Sequence, residues 1–215
     1  MKLFLTSSGL HPDVTNPFLE FLGEKPEETK VCFITTASNP EKDKWYVEQD
    51  RDKLLELGFK ITEFDLEKEN AFSLQNKLKD FDVIFVEGGN TFYLLKHVRQ
   101  SSFDKVLKPL LDEGKIYFGV SAGSIIAGLN IDSAGWKHAD RNIVNLKDLT
   151  GLNLVPFVIS VHTDESNIKV IKNKARLASY PVVSLLDTQA ILVENGIKRI
   201  VGTGEKLIFN SPDKF

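Results

Sequence analysis

The chain has 215 residues, 42% of them hydrophobic and 27% charged, with a formal net charge of −3. That suits one domain spanning 1–215 with a core of its own, and gives no electrostatic case for nucleic acid or an anionic membrane as partner. No apolar run approaches the roughly 18 residues of a membrane-spanning helix, and a single cysteine, Cys32, excludes an intramolecular disulfide and points to a reducing cytoplasm.

In chain order, apolar runs of strand length alternate with stretches of helical period. "KLFLT" (2–6), "KVCFITT" (30–36), "KITEFDL" (60–66), "DVIFVEGG" (82–89) and "KIYFGVS" (115–121) read as strands. Cys32 lies inside the second run and reads as a buried core thiol. Between the strands, "VTNPFLEFLG", "KWYVEQDRDKLLELG", "FSLQNKLKD", "TFYLLKHVRQ" and "SFDKVLKPLLDEG" carry apolar residues near i, i+3, i+4 and i+7. Repeated strand–helix–strand with right-handed crossovers predicts a doubly wound α/β fold: a mainly parallel sheet with helices on both faces. From about residue 130, "NIDSAGWKHADRNIVNLKDLTG" reads as a long surface excursion. Order returns with "PFVISVH" (156–162), a basic helix "ESNIKVIKNKARLASY", then "PVVSLL", "QAILVEN", "IKRIVGT" and "KLIFN". Asn195-Gly196 between two alternating runs is a hairpin signal, so the chain is expected to end in an antiparallel ribbon.

The stretch "YFGVSAGSIIAG" (117–128) sets Ser121 between a strand and a helix expected over 122–129, flanked by Gly119 and Gly123. G-x-S-x-G in that context fits a nucleophile elbow, where the serine is strained and flanking side chains would clash. A tight turn with small packing residues, or a phosphate cradle, fits the same five residues.

A serine nucleophile needs a base, usually a histidine steadied by a carboxylate. His11, beside Pro12, reads as a turn residue, and His97 as a surface or helix-end residue. His138 lies in the excursion. His162 ends the run 156–162 and so shares the rim of Ser121, provided that strand runs parallel. For the acid, Asp187 follows the apolar run "PVVSLL", while Asp140 lies in the excursion; position favours Asp187. Asp164 and Glu165 follow His162 too closely and read as first-turn acids of the next helix. Oxyanion donors are the amide of Ala122 and one from the loop "VEGGNTF" (86–92), where Asn90 or Thr91 also reads as a helix N-cap.

"GGNTFYLLK" (88–96), "YFGVSAGS" (117–124), "GLNLVPFVISVH" (151–162) and "VVSLLDTQAILVENG" (182–196), in this order, resemble the peptidase E family of serine peptidases, which includes α-aspartyl dipeptidase and, more distantly, cyanophycinase. The resemblance implies a class I glutamine amidotransferase-like (flavodoxin-like) sheet. It carries the nucleophile onto Ser121, the base onto His162 and the acid onto Asp187, one methylene shorter than the family's glutamate. The oxyanion amides fall on Gly89 and Ala122. Asn90 and Asp140 are carried over as accessory or substrate-binding residues, with Asp140 also a substitute for the acid. Two departures stand out. The arginine that holds a substrate aspartate has no counterpart: the matching position falls near Ser166, and no arginine appears until Arg176. Glu87 replaces a glycine, an acid placed to meet a peptide's amino group or to face solvent. The expectation is a cytoplasmic peptidase for short peptides, using no metal or organic cofactor, with no nucleic-acid or membrane partner and with weak aspartyl preference. The chain's oligomeric state is not legible. An esterase or amidase on non-peptide acyl groups, or a non-catalytic small-anion-binding protein, stays open as an alternative.

Overall fold

In the computed structural model, residues 1–137 and 140–211 are described; His138 lies outside them. The first half alternates as its periodicity dictates: β1 (Lys2–Thr6), α1 (Pro12–Leu22), β2 (Lys30–Ile34), α2 (Trp45–Glu56), β3 (Lys60–Phe64), α3 (Ala71–Leu78), β4 (Val83–Val86), α4 (Thr91–Gln100), α5 (Phe103–Asp112), β5 (Ile116–Val120) and the short α6 (Ala122–Ile126). After the excursion come β6 (Val158–Ser160), α7 (Ile168–Leu177), β7 (Val182–Ser184), β8 (Gln189–Glu194), β9 (Ile197–Gly202) and β10 (Leu207–Phe209).

The main sheet has seven strands in the order β3-β2-β4-β5-β1-β8-β9. Its first five are mutually parallel; β8 joins β1 antiparallel and β9 joins β8 antiparallel. Side chains that alternate along these strands feed two cores, as a period of two requires. Leu3, Leu5, Ile34, Val86 and Tyr117 face α3 to α6, while Phe4, Phe33, Phe85 and Phe118 face α1 and α2. On the second face Phe85 stacks on Phe118 at 4.4 Å between ring centroids, and Phe18 of α1 meets Phe118 edge-on at 4.7 Å. Cys32 is buried in the first core, and burial pushes its thiol pKa well up, so it stays a protonated packing group.

The fold is the doubly wound α/β sheet of the flavodoxin-like, class I glutamine amidotransferase-like kind, and the ribbon is the β8–β9 hairpin. Asn195 and Gly196 both take positive φ, 51° and 80°, as a two-residue turn of this hand demands.

Two placements differ from the sequence reading. The run 156–162 does not enter the main sheet: β6 pairs parallel with β7, and β10 returns antiparallel to β7, making a separate three-stranded sheet. Three-residue strands carry no alternation long enough to reveal which sheet they join. The helix after Ser121 also stops at Ile126 rather than 129, because the Leu129 amide turns away to the Phe157 carbonyl, at 3.1 Å. Among the described residues, no helix is long and apolar enough to cross a membrane.

Candidate active site

Ser121 sits where β5 breaks into α6, at φ 46° and ψ −105°. This is a region a non-glycine residue occupies only when its surroundings force it. The surroundings are visible. A Cβ at Gly119 would lie 2.8 Å from the Gly123 carbonyl, and one at Gly123 would collide with the Val86 carbonyl oxygen. Only glycines fit on either side of the turn. Ser124 braces it: its hydroxyl lies 2.7 Å from both the Thr6 and Gly119 carbonyl oxygens, while the Tyr117 hydroxyl donates to the Gly123 carbonyl at 2.6 Å.

His162 follows β6, and Asp187 follows β7. Because β6 and β7 are parallel neighbours, both residues emerge at the same end of the small sheet, facing Ser121. The Ser121 hydroxyl lies 2.9 Å from His162 Nε2, and His162 Nδ1 lies 2.7 Å from Asp187 Oδ1. His162 is itself held in the left-handed region, at φ 52°. Its carbonyl accepts from the Asn167 amide side chain at 2.9 Å, and its N–H donates to the Ser7 hydroxyl at 2.7 Å. The Ser7 hydroxyl in turn donates a hydrogen bond to Asp187 Oδ1 at 2.8 Å. The hydrogen bond from His162 holds the Asp187 carboxyl below its usual pKa, with the Ser7 hydroxyl and Lys137 helping and partial burial opposing. Both side chains are about half exposed, so the acid is fixed by partners rather than by depth.

Asp140 takes a different place. Its Oδ2 accepts from the Thr91 N–H at 2.8 Å, at the start of α4, and burial raises its pKa. It makes no hydrogen bond to the imidazole. Asn90 is the N-cap of α4, accepting from the Tyr93 N–H at 3.0 Å and donating to the Arg141 carbonyl at 3.0 Å. Its oxygen therefore caps α4 while its amide nitrogen ties the excursion to that helix. Asp164 caps the turn before α7, accepting from the Ser166 and Asn167 amides, and His11 caps α1.

Of the two glycine amides near Ser121, that of Gly88 donates to Glu87 Oε1 at 2.9 Å. The amides of Gly89 and Ala122 find no acceptor among the described residues. Gly89, at φ 135°, could not carry a side chain: its Cβ would strike the Ala37 carbonyl. Gly88 passes so near that a Cβ there would lie 3.2 Å from the Ser121 Cβ. A cavity of about 470 Å³ opens beside Ser121, bounded by the loop after β1, by α2 and by this glycine loop. Glu87 lines it and is fully buried, so it does not face solvent.

Sequence reasoning missed Ser7, Ser124 and the α2 wall of the cavity. Ser7 had one usable signal, a hydroxyl just past a strand's carboxyl end. Among the described residues, no group of three or more His, Cys, Asp or Glu side chains is arranged to hold a metal ion.

A serine on a strained strand-to-helix turn, hydrogen-bonded to a histidine that is bonded in turn to an aspartate, is an arrangement shared by serine hydrolases on several folds. Peptidase family S51 matches residues 3–201, and the chain belongs to that family of serine-type peptidases. An uncharacterized peptidase of Pasteurella multocida (strain Pm70) is 35% identical over 206 residues, covering 94% of this chain and 97% of the relative. A peptidase E of Shewanella denitrificans is 27% identical over 203 residues, covering 89% and 83%. The crystal structure of a candidate peptidase E protein from Listeria monocytogenes EGD-e superposes with a TM-score of 0.82 at 30% identity, covering 94% of this chain and 98% of that one.

Proposed function

We propose that the chain hydrolyses peptide bonds of short peptides in the cytoplasm, through Ser121, His162 and Asp187 and a covalent acyl-enzyme. The observation that carries this reading is the unbroken line from the Ser121 hydroxyl through His162 to Asp187, at 2.9 and 2.7 Å. Ser121 Oγ attacks the scissile carbonyl carbon as its proton passes to His162 Nε2. The oxyanion that forms accepts from the Gly89 and Ala122 amides, which have no competing acceptor. Asp187 keeps Nδ1 protonated and steadies the imidazolium. His162 then gives its proton to the leaving amine as the carbon–nitrogen bond breaks. Water adds to the acyl-enzyme, losing a proton to His162, and the serine leaves with that proton as the peptide acid departs. A cavity of about 470 Å³ holds a residue or two, which favours small substrates over folded protein.

The test is a fluorophosphonate probe with a dipeptide library. The wild type is labelled and cleaves peptides, and Ser121→Ala does neither. Turnover of simple esters with no peptide cleaved would replace the peptidase by an esterase. An unlabelled wild type that cleaves nothing would leave only a binding protein.

A further inference from the structure

The cavity beside Ser121 is lined by five carboxyl groups, those of Glu41, Asp50, Glu87, Asp140 and Asp187, and by no lysine or arginine among the described residues. Asp187 is matched by His162, and Asp140 by the amide at the start of α4. Glu87 and Asp50 are not matched by any cation. Glu87 has no exposed surface, its Oε1 accepts only the Gly88 amide, and its Oε2 receives no hydrogen bond from a donor group. The carboxyl that faces it is Asp50, which accepts the Leu10 amide at 3.3 Å. The chain makes room for this pair: Gly9, at φ 48°, passes where any Cβ would run into the Asp50 carboxylate. Two buried acids in contact share one proton, because both cannot ionise side by side. Burial pushes Glu87 well up, with the Asp50 charge adding to the rise, and pushes Asp50 up to about 6 against the hydrogen bonds it makes with the Leu10 amide and Glu87. One negative charge remains.

Aromatic rings complete the lining. Trp45 and Tyr46 of α2 meet edge-on at 6.0 Å, and the Tyr46 hydroxyl is buried without a partner. Aromatic faces beside a buried anion suit an organic cation. Away from the Gly89 and Ala122 amides, an acidic ligand group would meet carboxylates and no lysine or arginine of the lining. The basic residues of α7 cannot relieve it, since Lys169, Lys172, Lys174 and Arg176 are exposed to solvent and none of them lines the cavity.

We propose that this cavity is a cation subsite, in which the Glu87–Asp50 carboxyl pair and the Trp45 and Tyr46 rings receive a positively charged nitrogen on the acyl half of the substrate. The term "acyl half" rests on the peptidase reading; binding of the cation does not. The nitrogen is either a lysine- or arginine-like side chain or a free α-ammonium group, and the two sources are separable.

Calorimetric titration of Ser121→Ala protein at low salt uses three probes: Nα-acetyl-lysine amide, norleucine amide, and Nα-acetyl-norleucine amide, which has no cation. At least one of the first two binds tenfold or more tightly than the third, and which one identifies the source. The advantage falls to within about twofold in the Glu87→Gln/Asp50→Asn double variant, and shrinks as salt is raised in the unsubstituted pocket. The salt arm stands even if the double variant folds poorly. Equal binding of all three probes, no binding of any, or an advantage that survives both the double substitution and high salt overturns the proposal. Fluorophosphonate labelling of Ser121 decides the hydrolase reading separately, so a labelled enzyme with no cation preference sinks the subsite alone.

Discussion

Ser7 and Asp187, 180 positions apart in the chain, share a hydrogen bond of 2.8 Å, and the same Ser7 hydroxyl receives the backbone N–H of His162 at 2.7 Å. One hydroxyl thus ties the end of β1 in the main sheet to both residues contributed by the small sheet. It sets the acid and the imidazole in a common frame although they stand on different strands. Ser7→Ala deletes the donor to Asp187 and leaves the His162 amide without its acceptor. Turnover (kcat) is expected to fall roughly tenfold, equivalent to about 1.4 kcal/mol, with KM little changed. Ser7→Thr, which keeps a hydroxyl, recovers most of it. A KM effect alone, or no rescue by threonine, would argue that Ser7 is only a packing residue.

The ranking of the two aspartates follows from their partners. Asp187 bonds to the imidazole, whereas Asp140 bonds to the Thr91 amide. Asp187→Asn is expected to lower kcat/KM by about three to four orders of magnitude, the scale seen when the acid of such a triad is made neutral. Asp140→Asn leaves the Thr91 amide an amide oxygen to donate to and costs about tenfold or less. Steady-state kinetics on one dipeptide substrate decides this, and the reverse ranking would reassign the third member.

Much of this was legible in the sequence, and the gaps have physical causes. Five parallel strands and their helices follow from period-two and 3.6 patterns that run for whole elements. That Ser121, His162 and Asp187 meet could be anticipated from each standing just past an apolar run. The sheet to which His162 belongs could not be, because β6 and β7 have three residues each and every one is buried. The full burial of Glu87 was hidden for another reason. An acid next to two glycines reads as exposed, and only the approach of Asp50, from a helix nearly forty residues earlier, encloses it. Ser7 and Ser124 act through single hydroxyls, and serine in a loop carries no signal of what it will touch.

The backbone at Ser121 yields a prediction about stability. At φ 46° and ψ −105°, any residue with a Cβ is strained, by about 1–3 kcal/mol. Glycine pays little there. Ser121→Gly is therefore expected to unfold at higher urea than Ser121→Ala by about 1 kcal/mol or more, although glycine lowers stability at ordinary positions. Both variants lack the Ser121 hydroxyl, so the comparison is one of backbone strain. Equal midpoints would show that the elbow is not strained.

The buried acids make stability depend on pH in a direction opposite to that of Asp187. The folded-state pKa of Asp187 is depressed, so its contribution is present above the ordinary aspartate range and is lost as pH falls through the lower folded value. Glu87 and Asp50 have raised pKa values, Asp50 up to about 6. The folded protein then holds more protons than the unfolded chain from about pH 4 upward, so stability declines as pH rises through the Asp50 value of about 6, and the decline continues beyond it while Glu87 keeps its proton. In Glu87→Gln/Asp50→Asn nothing remains there to titrate. Urea unfolding at a series of pH values is expected to show the wild type losing about 1–3 kcal/mol more than the double variant between pH 4 and 7. Parallel curves for the two proteins would mean that the pair carries its charges without cost. That would remove the reason for a cation to be drawn to it.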